Sequence, residues 1–177
     1  MHLRRAIYGS VPQADQVTTY NILNEATIEG TCEQCWASLL TAFEGMDPWW
    51  GPYLTARRLG PIRSGEIGSV VEIRVDTRGA AGGFWDRARW QARVIDVDPG
   101  RRIVLESVKG DFRGTMRLLM EPVGASRVHI SIRFMGDPAG GLRLRSAFVD
   151  VPGGFRTVVQ EGFHRLEQHQ QPGRMAA

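Results

Sequence analysis

The chain has two cysteines, Cys32 and Cys35, and they are spaced C-x-x-C in the stretch TCEQCWASLL. This spacing is typical of thioredoxin-type redox couples and of one half of a structural zinc site. Zinc needs four ligands, and the sequence has no second cysteine pair. His164 and His169 lie five residues apart and would face different ways on a helix. The sequence therefore predicts no metal site.

The helix expected to carry these cysteines begins with a capping-box signature, Thr31 followed by Gln34. We predict that it runs from Cys32 to Phe43. Five of its residues fall within an arc of about 100°, which is the width of a core-facing stripe: Cys32, Cys35, Trp36, Leu39 and Phe43. Both cysteines are thus predicted to be buried, unreactive and packed as small apolar residues. A redox role is the alternative, because Cys32 lies near the helix N-terminus.

A third candidate for chemistry is Asp86, in the strand-like stretch FWDRARWQARV. Side chains alternate across a strand, so Asp86 should share the inner face with Ala88, Trp90, Ala92 and Val94. A carboxylate on an apolar face is disfavoured in its charged form, which suits acid–base catalysis.

Two alternatives to a catalytic Asp86 stay open. The carboxylate could simply pair with an arginine at the rim of the sheet. A bulge near Gly82–Gly83 would also reverse the register and turn Arg87 and Arg89 inward.

The composition is that of an ordinary globular protein of 177 residues, with 42% hydrophobic and 23% charged residues. The net charge is +3, the basic residues are dispersed, and nearly all are arginine, so no nucleic-acid partner is expected. No apolar run reaches the length of about 18 residues that a membrane span needs. The N-terminus lacks the apolar core of a signal peptide, and a cytoplasmic location is expected.

The chain is predicted to form one α+β domain over residues 20–171, with an N-terminal arm, 1–19, and a flexible tail, 172–177. Seven stretches read as strands: Thr19–Glu29, Leu54–Leu59, Ser69–Thr77, Phe84–Val97, Arg102–Val108, Phe112–Glu121 and Arg127–Met135. EGMDPWWGPYL reads as a break that could hold a short second helix. The amphipathic sheet and helices must bury their apolar faces on one another.

A long terminal helix is predicted from the helical spacing of five apolar residues: Phe155, Val158, Val159, Phe163 and Leu166. Gly162 falls within the same stripe, where glycine costs about 1 kcal/mol relative to alanine. Either another backbone approaches closely there, or the missing side chain leaves room for a ligand.

Several segments resemble the START/Bet v 1-like (SRPBCC) superfamily, which includes the polyketide cyclase/dehydrase proteins. ATIEGTCEQCWASLLTAFEGMDPWWGPY resembles its opening strand, helix and Trp-Pro turn. WQARVIDVDPGRRIVLES resembles a strand, turn and strand of the family, and GTMRLLMEPVGASRVHISIRF resembles its last hairpin. The resemblance spans Glu25 to Gln168. It implies a helix-grip fold, in which a curved antiparallel sheet of six or seven strands surrounds a long C-terminal helix with a cavity between them.

This resemblance, together with strand alternation, defines an expected ligand cavity. Its expected lining is Trp49, Trp50, Trp90, Met116, Leu118, Ile132, Phe134, Phe148, Phe155, Val159, Gly162 and Phe163. Tyr53 is expected to donate a hydrogen bond to a ligand carbonyl, and Asp86 to act with it as acid and base. His129 is expected to face solvent, and the segment Gly140–Gly154 to cover the cavity mouth.

Three functions are compatible with such a cavity. The first is a cofactor-independent enzyme of polyketide cyclase, aromatase or dehydratase type in secondary metabolism. The second is a non-catalytic carrier or sensor of a lipid-like or aromatic ligand, which an almost purely apolar cavity would favour. The third is a protein-binding module, which the arginines on the outer face disfavour. A homodimer is compatible with all three.

Overall fold

The computed structural model describes residues 20–46, 51, 53–76, 87–139 and 155–170. The elements in chain order are β1 (Tyr20–Glu29), α1 (Cys32–Phe43), β2 (Leu54–Leu59), β3 (Val70–Asp76), β4 (Arg87–Asp98), β5 (Arg102–Gly110), β6 (Phe112–Pro122), β7 (Arg127–Pro138) and α2 (Phe155–Gln170). The seven strands form one antiparallel sheet in the order β1-β7-β6-β5-β4-β3-β2. The predicted helix-grip fold is confirmed.

The predicted element bounds agree with this structure to within three residues. Helix α1 and strand β2 have the predicted bounds, and α2 begins at Phe155. The predicted arm, tail and cavity cover lie outside the described residues, and so do residues 47–50 and 52 of the stretch expected to hold a short second helix.

Helix α1 begins where the capping box predicted. The Thr31 side chain accepts a hydrogen bond from the Gln34 backbone N–H at 3.2 Å, and the Gln34 side chain accepts one from the Thr31 N–H at 2.9 Å. Two N–H groups that a helix start leaves without intrahelical partners are thereby satisfied. The fixed start directs the buried stripe of α1 toward the sheet.

One face of the sheet is buried along its length, because buried and exposed side chains alternate along most of the strands. On β4, Ala88, Trp90 and Val94 are almost fully buried, while Arg89 lies on the opposite, outer face. The register that would turn Arg89 inward is therefore wrong. Trp90 packs edge-to-face against Phe112 and Phe134, with ring centroids 5.3 and 6.4 Å away.

Helix α2 covers this buried face at the β1 end of the sheet. Its predicted stripe is buried at Val158, Val159, Phe163 and Leu166. Two polar contacts fix it in place. Gln160 donates to the backbone carbonyl of Glu25 at 3.3 Å, and Gln170 donates to the Ser38 hydroxyl of α1 at 3.2 Å.

The sheet departs from regular pairing where it must curve. The β4–β5 register shifts between Gln91 and Ala92 and again between Val94 and Asp96, and such bulges bend a strand. Between β6 and β7, Gly114 lies directly opposite Gly136. A Cβ on Gly114, whose φ is 138°, would collide with the Met135 carbonyl oxygen. Glycine permits this close approach.

The outer face carries a buried carboxylate, Glu72 on β3. Arg74 donates to one of its oxygens and Arg89 to the other, and an Arg57 guanidinium nitrogen lies 3.7 Å away. The side chain of Glu72 is 1% exposed, whereas those of the three arginines are each more than half exposed. Burial alone would raise the pKa of Glu72, but the hydrogen bonds from Arg89 and Arg74 outweigh it and lower the pKa. This cluster links β2, β3 and β4.

The lowered pKa predicts how stability responds to acid. Glu72→Gln should reduce the free energy of unfolding by about 1–3 kcal/mol near neutral pH. A group whose pKa is lower in the folded chain contributes stability above its unfolded pKa and loses it as the pH falls through the folded one. The difference in the free energy of unfolding between wild type and Glu72→Gln should therefore be largest above about pH 5 and should decrease below about pH 4. Urea unfolding across this pH range measures it.

The exposed Glu106 on β5 offers a matched control, since Glu106→Gln makes the same change at a solvated position. Its effect should stay within about 0.5 kcal/mol at every pH. A deficit in Glu72→Gln that did not change with pH would contradict the ion-pair explanation.

Candidate functional site

An apolar cavity lies between the inner face of the sheet and the two helices. Its described lining comes from six elements and is apolar: Phe43, Leu54, Ala56, Ile73, Met116, Ile132 and Val159. Only about 10 Å³ of this space admits the centre of a water molecule. Typical small-molecule sites hold about 300–1,000 Å³. In this structure the cavity is contracted, and a ligand would have to displace lining side chains.

The expected lining residues divide into three groups. Met116, Ile132 and Val159 line the cavity. A second group is buried in the surrounding core without being among its lining: Trp90, Leu118, Phe134, Gly162 and Phe163. The third group cannot be placed against the cavity. Trp49, Trp50 and Phe148 lie outside the described residues, and only the backbone of Phe155 is described. Contact of any of them with a ligand stays a prediction.

The expected acid–base pair is described only in part. Tyr53 is half-buried and packs against the core, directly before the cavity residue Leu54. Asp86 lies outside the described residues. The neighbouring residues Ala88 and Trp90 are buried, so the alternation that predicted an inward Asp86 is present from Ala88 onward.

The inner face also carries a polar residue that the sequence analysis missed, Asn24 on β1. It is 1% exposed and shares the core face with Ile28, which is 2% exposed. Neither its side-chain nitrogen nor its oxygen has a hydrogen-bond partner within the described part of the chain. Burying an amide in this way costs about 1–3 kcal/mol. The alternation of Ile22, Asn24, Ala26 and Ile28 was the available signal.

The two cysteines differ in burial, whereas the helical stripe predicted that both would be buried. Cys35 is fully buried, as expected, whereas Cys32 is only half-buried. The prediction for Cys32 is wrong in this respect because Cys32 is the first residue of α1, at the end of the stripe. Burial, reinforced by the neighbouring Cys32, raises the pKa of the Cys35 thiol to about 11. Cys35 is therefore not poised as a thiolate.

Other candidates for chemistry lie away from the cavity. His129 lies on the outer face, with its ring 3.3 Å from the Thr27 hydroxyl and 3.6 Å from a Glu25 carboxylate oxygen. Within the described residues, no three His, Cys, Asp or Glu side chains are placed to hold a metal ion. None of the described helices is long and apolar enough to cross a membrane.

The family follows from comparison with known proteins. The sequence model of the family described as "Polyketide cyclase / dehydrase and lipid transport" matches residues 21–171. The chain therefore belongs to this family. A search of curated proteins gives no match.

Solved structures share the fold at low sequence identity. A major latex-like protein 151 from Panax ginseng aligns with a TM-score of 0.62 at 14% identity, covering 87% of this chain and 99% of its own. A START superfamily protein from Mycobacterium smegmatis gives 0.58 at 13%, covering 85% and 97%. The Zhui aromatase/cyclase from Streptomyces sp. R1128 gives 0.54 at 14%, covering 87% and 85%. At these identities the likeness establishes the START/Bet v 1-like fold alone.

The difference between the two cysteines predicts stepwise thiol labelling. In the native protein, a maleimide should label Cys32 rapidly and Cys35 only as fast as the chain unfolds, because Cys35 is buried and protonated at neutral pH. Mass spectrometry of a labelling time course, with C32A and C35A as matched variants, measures this. Equal rapid labelling of both thiols would contradict the burial of Cys35.

Proposed function

We propose that this protein binds a hydrophobic small molecule between its sheet and α2, as a carrier or sensor. The observation that carries the proposal is the cavity lining, which is apolar at all seven positions. Such a lining stabilises a ligand by removing apolar surface from water, at about 25 cal/mol per Å². The seven described lining residues include no acid, base or nucleophile. The family's link to lipid transport supports the same conclusion.

Ligand entry requires the contracted cavity to open. Met116 is a suitable element for this, because an unbranched thioether side chain changes rotamer easily and fits irregular shapes. Phe43 lies at the last residue of α1, where a small shift of the helix end would move its ring. The unliganded form is then the compact one, and binding selects or induces a wider form.

Filling the cavity should impair binding without unfolding the protein. Ala56 lines the cavity from β2, so Ala56→Leu would occupy part of the atom-free space. We expect its affinity for N-phenyl-1-naphthylamine, an uncharged fluorescent probe, to fall about tenfold or more. Its melting temperature should fall by about 2–12 °C, because added methyl groups in a closely packed site cost about 1–3 kcal/mol. Fluorescence titration and a thermal melt measure the two quantities.

Ala37, which is exposed on α1, provides the matched control. Ala37→Leu adds the same atoms outside the cavity and should leave probe affinity unchanged. Equal affinity in wild type and Ala56→Leu would place the probe elsewhere and contradict the proposed site.

A second candidate function is a cofactor-independent cyclase, aromatase or dehydratase acting on a polyketide-like substrate. The half-buried Tyr53, adjacent to the cavity residue Leu54, favours it. In this account the cavity holds a flexible substrate folded, Tyr53 donates a hydrogen bond to a carbonyl, and Asp86 takes a proton from the adjacent carbon. The expected role in secondary metabolism rests on the family resemblance. The expected cytoplasmic location rests on the N-terminal sequence, which lacks the apolar core of a signal peptide.

The two candidates differ in their dependence on Asp86. Asp86→Asn retains the shape and removes the charge. If the protein is an enzyme, turnover of an aromatisable polyketone should fall at least 100-fold, since general acid–base catalysis contributes about that much. If it is a carrier, wild type should bind such a compound without converting it. Chromatography of the incubated compound distinguishes the two results, and unchanged turnover in the variant would remove Asp86 from the mechanism.

A further inference from the structure

The buried amide of Asn24 lies beside the cavity. On β1 it shares the core face with Ile22, Ala26 and Ile28, and across the ladder it lies directly opposite Ile132. Side chains directly opposite on antiparallel strands have Cβ atoms about 4.5–5.5 Å apart. Ile132 lines the cavity, so the Asn24 amide is one side chain away from that space.

The surroundings of Asn24 offer it no partner within the described residues. Its face-mates and its opposite residue are all hydrocarbon, and the helix above β1 contributes Val158 and Val159 to the core. Both hydrogen-bonding ends of the side chain are left without a partner there, the NH₂ donor and the carbonyl acceptor. Four other described residues also have one buried side-chain atom without a partner, but each of these residues is partly exposed: Ser64, Arg102, Arg133 and Asp137.

We propose that Asn24 recognises the polar end of the ligand. This inference rests on the proposed function and specifies the class of ligand. A side-chain amide presents a donor and an acceptor side by side, and its complement is a group that accepts and donates side by side. A primary carboxamide and an un-ionised carboxylic acid both have this form. The ligand is then an apolar body ending in one such neutral group.

A charged headgroup does not fit this site. None of the seven lining residues carries a charge, and a buried ion without a partner is strongly disfavoured. The neutral amide can pair with a neutral group without leaving a net charge in the interior. This distinguishes the expected ligand from anionic lipids and phosphates.

A series of probes with one shape and graded polarity tests the proposal. 2-Naphthamide donates and accepts, 2-acetonaphthone only accepts, and 2-ethylnaphthalene does neither. Calorimetric titration of the wild-type chain measures the three affinities, and each is corrected for the probe's free energy of transfer from water to octane. The corrected affinity of 2-naphthamide should be at least about tenfold higher than that of 2-ethylnaphthalene. 2-Acetonaphthone should fall between them, because it satisfies only the donor.

Asn24→Leu should abolish the preference for 2-naphthamide over 2-ethylnaphthalene and should still bind 2-ethylnaphthalene. It should also raise the melting temperature of the unliganded protein by at least about 2 °C, because an unsatisfied amide is removed from the core. If leucine overpacks the site, Asn24→Val is used instead, because valine suits a strand. Asn21 is exposed on the same strand, and Asn21→Leu is the matched control that should change neither quantity.

The outcomes separate this inference from the proposed function. If all three probes bind wild type with equal corrected affinity, Asn24 does not recognise the ligand although the cavity binds. If Asn24→Leu melts lower and the probe preference is unchanged, the amide is a structural group held by ordered water, and the proposal is overturned. If no probe binds wild type, the proposed function fails and this inference fails with it.

Discussion

The structure depends on covering one face of a curved seven-stranded sheet. Alternation places most of the large apolar side chains of the strands on that face, from Ile28 on β1 to Val71 on β3. The two helices are the described elements that cover it, with α2 over β1 and α1 over β2 and β6. A shift of one residue in any strand would exchange its buried and exposed side chains. Register, helix position and cavity are therefore set by the same constraint.

Two buried polar residues, one on each face of the sheet, have different surroundings. On the outer face, Glu72 is buried but surrounded by arginine donors, so its charge is compensated. On the inner face, Asn24 is buried without a partner among the described residues. An uncompensated polar group is expected to persist where function requires it, because it opposes folding. The inner face therefore holds both the cavity and the group most suited to give it selectivity.

The sequence predicted those features that depend on neighbouring residues. The Thr31–Gln34 capping box identified the start of α1, and alternation around Trp90 identified the buried face of β4. Asn24 was missed because β1 alternates weakly: Leu23, between two core-facing positions, is itself partly buried. The Glu72 cluster depends on the pairing of three strands, which no local pattern specifies.

The size of the cavity also lay beyond sequence reasoning. Its volume is the small difference between the volume that six elements enclose and the volume of the side chains that fill it. Resemblance to a family with ligand cavities predicted where the space would be. It did not predict that Phe43, Leu54 and Ile73 would lie among the lining residues, since their positions follow from tertiary packing.

The central claim is that a hydrophobic ligand binds between the sheet and α2, and isotope-filtered nuclear Overhauser spectroscopy tests it most directly. With selectively methyl-labelled protein and unlabelled 2-naphthamide, the account predicts cross-peaks from the ligand ring to the methyl groups of Ile132 and Val159. These two residues line the cavity from β7 and α2. Cross-peaks confined to exposed residues such as Ile67 or Ile95 would contradict it.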